Sequence, residues 1–125
     1  MLKKENRLKK ESSFQWVFRR SKPVFFDNLV FRVVPAKKTA TGPVSDLSRF
    51  GLVISAKTEK SAVRRNAIRR YLYSLIKEFL PSIREGIDVV VVIKKSFTLP
   101  LNSDEIRRRF RRGGELAGIF RTTRQ

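Results

Sequence analysis

The chain has 125 residues, the size of one ordinary domain, long enough to bury a core without disulfides or metals. It carries 29 Lys+Arg against 11 Asp+Glu, a formal charge of +18. Self-repulsion at that charge works against the compact state and implies an anionic partner, nucleic acid first, with an anionic membrane surface as the rival. There is no Cys and no His, so a disulfide framework, a thiol nucleophile, the usual general base and the usual nitrogen and sulfur metal ligands are all missing. Catalysis by protein groups is thereby disfavoured, although a carboxylate-held metal is not excluded.

No apolar run approaches the roughly 18 residues of a membrane span. The basic N-terminus is not followed by the apolar stretch of a secretory signal. A soluble, cytoplasmic protein is expected. Residues 1–125 read as a single domain with an ordered core at about 5–112; residues 113–125 are left unassigned.

Along the chain, Ser12 or Ser13 is predicted to cap a first helix over residues 12–20, with Phe14, Val17 and Phe18 on one face. Pro23 ends it. Residues 29–34, β-branched and aromatic, predict a strand stopped by Pro35. Residues 36–48, with Lys37, Lys38, Gly42 and Pro43, have loop composition, and a second strand is expected over 50–56.

The clearest helix is 61–80, where Ile68, Leu72, Leu75 and Phe79 make an apolar stripe closed by Pro81. The continuous apolar run 88–93 predicts a central strand covered on both faces. A last helix is expected after an Asn102/Ser103 cap, running through Ile106 and Phe110 and weakening at Gly113-Gly114. This order describes an α+β sandwich, one sheet with its helices mainly on one side. If strands 50–56 and 88–93 are parallel neighbours, the general rule favours a right-handed crossover.

On helix 61–80, Asn66, Arg69, Arg70, Tyr73 and Lys77 gather opposite the apolar stripe, with Arg65 flanking them. Such a charge run is usually a solvated outer face. Two features point further. Arg64 and Arg65 occupy the opening turn, where a cation opposes the helix dipole, so stability alone does not select them, whereas an arriving phosphate would meet both arginines and free N–H groups. The helix also holds a single acidic residue, Glu78, which leaves the face as unpaired positive potential.

These residues carry a resemblance. Residues 57–70, and within them Arg65-Asn66-Ala67-Ile68-Arg69-Arg70, resemble the signature helix of the bacterial ribonuclease P protein family, whose pattern is Arg-Asn-Arg, an apolar residue, a basic residue and Arg. Gly51-Leu52-Val53-Ile54-Ser55 is similar to the strand that precedes it, and residues 88–92 to the strand that follows. Asn6-Arg7-Leu8-Lys9-Lys10, Phe14-Gln15 and Val17-Phe18 resemble the opening of the family, so the likeness spans about residues 5–95.

The resemblance implies a fold like that of ribosomal protein S5 domain 2, in the order α-β-β-β-α-β-α with a left-handed βαβ crossover. It also implies the protein subunit of a ribozyme that removes the 5′ leader of precursor tRNA. Lys57, Arg64, Arg65, Asn66, Arg69, Arg70 and Tyr73 would bind the catalytic RNA, and Phe14, Phe18 and Arg32 would line a cleft for the leader. Arg7, Lys9, Lys10, Lys77, Arg107 and Arg108 would add phosphate contacts. The partners implied are the catalytic RNA and precursor tRNA, with a monomer per RNA and no membrane. No catalytic residue and no metal are expected in the protein alone; Mg²⁺ belongs to the RNA-based holoenzyme.

Three positions depart from the family pattern. Ala67 stands for the second arginine, Thr58-Glu59-Lys60 replaces a segment often containing glycine, and Arg32 replaces a cleft aromatic. Phe14 and Phe18 have a plain alternative as core residues, and Trp16 reads as packing. The alternative functions are a ribosomal or other structured-RNA binder, and a metal-dependent nuclease, which the scattered acids do not support.

Overall fold

A computed structural model of the chain describes residues 2–35, 48–97 and 102–121; the predicted loop 36–48 lies almost wholly outside the described residues. The elements are α1 (Glu11–Arg20), β1 (Val24–Phe26), β2 (Leu29–Pro35), β3 (Arg49–Val53), α2 (Ala62–Phe79), β4 (Ile87–Ile93) and α3 (Ser103–Ala117). The strands form one sheet in the order β1-β2-β4-β3. β4 is central, as its apolar run predicted, with Val89, Val90 and Val91 fully buried. β3 runs parallel to β4, pairing Arg49 with Asp88 and Val53 with Val92, while β2 runs antiparallel to it.

Alternation along the strands feeds two cores. Leu29 and Phe31, Phe50 and Leu52, and Val89, Val91 and Ile93 face α2 and α3, whose Ile68, Leu72, Leu75, Ile76, Ile106 and Phe110 complete the larger core. Val34 and Val90 face the other way, against Leu8 and Val17, with Phe14, Trp16, Val53 and Val92 packed around them. The helices are therefore mainly on one side, as expected, but α1 lies alone on the opposite face. That lone helix is what makes a cleft available.

Several boundaries differ from the sequence reading. α1 begins at Glu11 with Lys10 as its N-cap and no side-chain cap, so neither Ser12 nor Ser13 serves that role; Glu11 instead places negative charge at the positive end of the dipole. The three-residue strand β1 has no counterpart in the reading from residue patterns but completes the order α-β-β-β-α-β-α that the resemblance implied. It is joined to β2 through Asp27, whose φ of 53° lies in the left-handed region that Asp and Asn tolerate. β3 stops at Val53 because the chain turns at once, Ser55 O accepting from the N–H groups of Thr58 and Glu59. In α2, Ile76 fills the core where Phe79 was expected; Phe79 sits at its margin, stacked on Phe110 with ring centres 5.8 Å apart.

α3 does not weaken at Gly113-Gly114. It continues to Ala117 and ends on Gly118 in the left-handed conformation (φ 76°). A Cβ on Gly113 would lie 2.4 Å from the Phe31 ring, and one on Gly114 would lie 2.7 Å from Phe120. Close approach to those aromatics offsets the roughly 1 kcal/mol that each glycine costs a helix relative to alanine. Beyond α3, Ile119 is fully buried and Phe120 bridges to Ile83, so the fold extends past residue 112.

Candidate nucleic-acid interface

The N-terminus of α2 is built by residues outside it. Ser61 caps the helix, its Oγ accepting from the N–H of Arg64 at 3.2 Å, and no acid stands in the first turn. The balancing charge is Glu59, 9% exposed, which accepts from Ser96 Oγ at 2.5 Å and from the Ser61 N–H at 3.1 Å. Those two hydrogen bonds, followed by the fields of Arg64 and Arg65, hold the Glu59 carboxyl below its usual range. Its role was not foreseen from the sequence, where it figured only as a departure from the family pattern.

The expectation of unpaired positive charge on this face is corrected at the opening turn. Arg64 lies 3.9 Å from Glu59, and Arg65 turns back to donate to the carbonyls of Glu59 (2.8 Å) and Lys60 (3.3 Å). Arg65 therefore ties the preceding turn to the helix as well as contributing charge. Arg69 donates to Asn66 Oδ1 at 3.1 Å, which orients the Asn66 amide and leaves its two N–H donors for a ligand. Arg70, Lys77 and Lys57 are exposed, and among the described residues they form no ion pair.

Tyr73 is half-buried against the larger core, and the Arg7 guanidinium lies 5.7 Å above its ring. Burial pushes the Tyr73 hydroxyl up, opposed by a hydrogen bond to the backbone of Leu52 and by the charges of Arg7 and Arg69. Arg7 reaches this position because Leu8 N–H donates to Phe50 O at 2.8 Å, laying the N-terminal segment along the free edge of β3. A residue distant in sequence thus joins the α2 face.

On the other side, the Phe14 ring lies directly over Gly51 of β3, where a Cβ would come within 2.3 Å of it. Phe18 is 37% exposed at the end of α1, with the Arg32 guanidinium 5.0 Å from its ring centre. Arg32 also donates weakly to the carbonyl oxygens of Phe18 and Ser21, at 3.4 and 3.3 Å, so it pins the end of α1 to the sheet. Trp16 is partly buried with the Arg20 guanidinium 4.2 Å above it.

A groove of about 360 Å³ is lined by one residue from each of these surfaces, Phe14 and Arg69. Lys9, Glu11 and Phe14 form one wall; Leu52, Val53, Ile54 and Arg69 form the other. Arg69 thus belongs both to the basic face of α2 and to the margin of the α1 cleft. Lys9 and its neighbour Lys10 are both exposed. Arg107 and Arg108 are placed differently. They lie on α3, across the sheet from α1, paired with Glu78 and Glu105 respectively. The hydrogen bond that Arg107 donates to the Glu78 carboxylate raises the arginine's pKa further, so it stays charged.

Among the described residues, no group of three or more His, Cys, Asp or Glu is placed to hold a metal, and no helix is long and apolar enough to cross a membrane. The family model described as Ribonuclease P matches residues 2–116.

The chain belongs to the ribonuclease P protein family. Its relatives include the ribonuclease P protein components of a Synechocystis species, 36% identical over 92 residues (74% of this chain, 69% of the relative), and of Rippkaea orientalis, 36% identical over 93 residues (74% and 72%). Among solved structures, the ribonuclease P protein of Staphylococcus aureus shares the fold with a TM-score of 0.75 at 23% identity, over 93% of this chain and 98% of that one. That of Thermotoga maritima gives 0.73 at 22%, over 90% and 96%.

In this ribonuclease P protein the start of α2 also borders a cavity. Ala67 lines a small, nearly apolar cavity of about 130 Å³ with Val63, Ile68 and Phe97, next to Glu59 and Arg64. Glu59 and Ala67, two of the positions that the sequence reading set apart from the family pattern, therefore share one neighbourhood at the start of α2.

Proposed function

We propose that this ribonuclease P protein acts as the RNA-binding subunit of a ribozyme holoenzyme in tRNA maturation. The exposed face of α2, with Lys57, Arg64, Asn66, Arg69 and Arg70, takes the catalytic RNA. The cleft of Phe14, Phe18 and Arg32 takes the single-stranded 5′ leader of precursor tRNA. The observation that carries this reading is the groove lined by both Phe14 and Arg69, which brings one residue of the leader cleft and one of the basic helix face to the same opening.

The two surfaces suit different physics. Stacking on an aromatic tolerates any base and stabilises by about 1–3 kcal/mol each, as a leader of variable sequence requires. Arginines and an oriented amide supply charge-assisted hydrogen bonds to phosphates. The protein contributes no nucleophile, base or metal set to the reaction, and the RNA with its Mg²⁺ supplies the chemistry. One monomer per RNA, in the cytoplasm, fits this role.

Reconstitution tests it. Protein freed of RNA is expected to leave precursor tRNA intact, and protein with the catalytic RNA and Mg²⁺ to cut at the mature 5′ end. RNA-free protein that cuts at that same position would sink the accessory role.

A further inference from the structure

Among the described residues, one strongly exposed aromatic lies outside the surfaces already described. Phe25, on the short edge strand β1, is 57% exposed, while its neighbour Val24 packs on the larger core. The Lys94 ammonium sits 5.0 Å from the centre of the Phe25 ring. Phe25 pairs with Val30, and Val30 with Val92. Directly opposed residues share a face, and so do residues two apart along a strand. Phe25 therefore projects from the same face as Arg32, the face on which α1 lies.

The sheet geometry also sets the spacing. Two residues along β2 and one strand across separate the backbone of Phe25 from that of Arg32 by about 8 Å. This is a short step along an extended nucleic-acid strand. The face thus presents two similar units in sequence: Phe18 with the Arg32 guanidinium, and Phe25 with the Lys94 ammonium, both at 5.0 Å. Each offers a ring for a base and a cation for the adjoining phosphate. The nearest acid in sequence, Asp27, is drawn to Arg109 of α3, on the opposite side of the sheet.

A single exposed aromatic is ordinary on a protein surface. An exposed phenylalanine on an edge strand is also a liability for self-association, however, and here it is combined with a cation and aligned with a second such pair. We propose that Phe25 and Lys94 form a further subsite for single-stranded RNA, which takes a leader nucleotide beyond the one held by Phe18 and Arg32. The proposal rests on the leader-binding reading above and extends it to the edge of the sheet.

The test uses the holoenzyme reconstituted with its catalytic RNA, and precursor tRNAs whose leaders grow one nucleotide at a time. Affinities are measured for wild type, Phe25→Ala, Phe25→Trp and Phe18→Leu. Phe25→Ala is expected to weaken binding by about fivefold to a hundredfold, only for leaders long enough to reach β1, and Phe25→Trp to restore it. Phe18→Leu is expected to weaken binding at shorter leader lengths as well. A fluorescent 2-aminopurine base walked along the leader should be quenched at one position in wild type and released in Phe25→Ala.

If Phe25→Ala follows wild type at every leader length while Phe18→Leu loses leader discrimination, the subsite is refuted and the cleft stands. Equal loss for mature tRNA would refute it too, as an effect on the fold. If wild type itself binds precursor and mature tRNA alike, the leader reading falls and this extension falls with it.

Discussion

The ring of Phe14 occupies the space that a side chain at Gly51 would need, with only 2.3 Å between its Cε1 and the position of a Cβ there. A helix residue and a strand residue 37 positions apart thereby set how closely α1 approaches the sheet. Gly51→Ala should force Phe14 aside, destabilise the fold by about 1–3 kcal/mol as overpacking does, and weaken binding of precursor tRNA. Denaturant midpoints and leader-dependent affinity check both effects. An unchanged midpoint and affinity would mean that α1 shifts freely and that Phe14 does not fix the cleft.

Leader recognition and general affinity should separate by salt. Phe18→Leu keeps much of the apolar volume and removes the ring beside Arg32, so the affinity for precursor tRNA should fall toward that for mature tRNA. Arg69→Ala should lower the slope of log K against log salt by about 0.7–0.9 for each phosphate the side chain neutralises, with or without a leader. Equal discrimination between precursor and mature tRNA in wild type and Phe18→Leu would assign Phe18 to packing.

Arg65 and Arg70 should part company although they share one helix. Arg65 holds the carbonyls of Glu59 and Lys60, so Arg65→Ala should cost about 1 kcal/mol of stability, the scale of a partly exposed hydrogen bond. Arg70, exposed and free of ion pairs among the described residues, should lose RNA affinity on truncation with its stability unchanged. Thermal unfolding beside RNA titration distinguishes the two. Equal destabilisation by both would remove the distinction.

The ion pair of part-exposed Arg49 and buried Asp88 gives a test confined to the fold. The two residues are register partners in β3 and β4, joined by two hydrogen bonds of 2.9 and 2.7 Å, and Asp88 is 1% exposed. Removing Arg49 should destabilise by about 3–5 kcal/mol, because the Asp88 charge is left buried, whereas removing Asp88 should cost less, because the Arg49 side chain, 30% exposed, reaches water. Replacing both with apolar residues should cost much less than the sum. Additive losses in this double-mutant cycle would show that the pair is not coupled.

Glu59 predicts an acid response. Its folded pKa lies below the ordinary 4.5, first through the Ser96 hydrogen bond. A lowered carboxylate stabilises the fold above the unfolded-state pKa, and that contribution fades as pH falls through the folded pKa. Wild type should therefore lose stability below about pH 4.5 more steeply than Glu59→Gln. Parallel pH profiles for the two proteins would show that this carboxylate does not anchor the start of α2.

Much of this protein was legible in its sequence because charge and periodicity are local properties. The excess of cations named the kind of partner, the stripe of Ile68, Leu72 and Leu75 placed α2, and the valine run placed β4 at the centre. The pattern from Arg65 to Arg70 pointed to the family. Periodicity says which face of an element is apolar, but not which distant surface will cover it. Only the tertiary structure could put α1 alone on one side of the sheet, lay Phe14 on Gly51, and bring Arg7 over Tyr73. It alone carried α3 through two glycines, because the compensating rings of Phe31 and Phe120 come from elsewhere in the chain. Glu59 shows the same limit: its carboxylate matters through Ser96, 37 residues away, and no local pattern encodes that pairing.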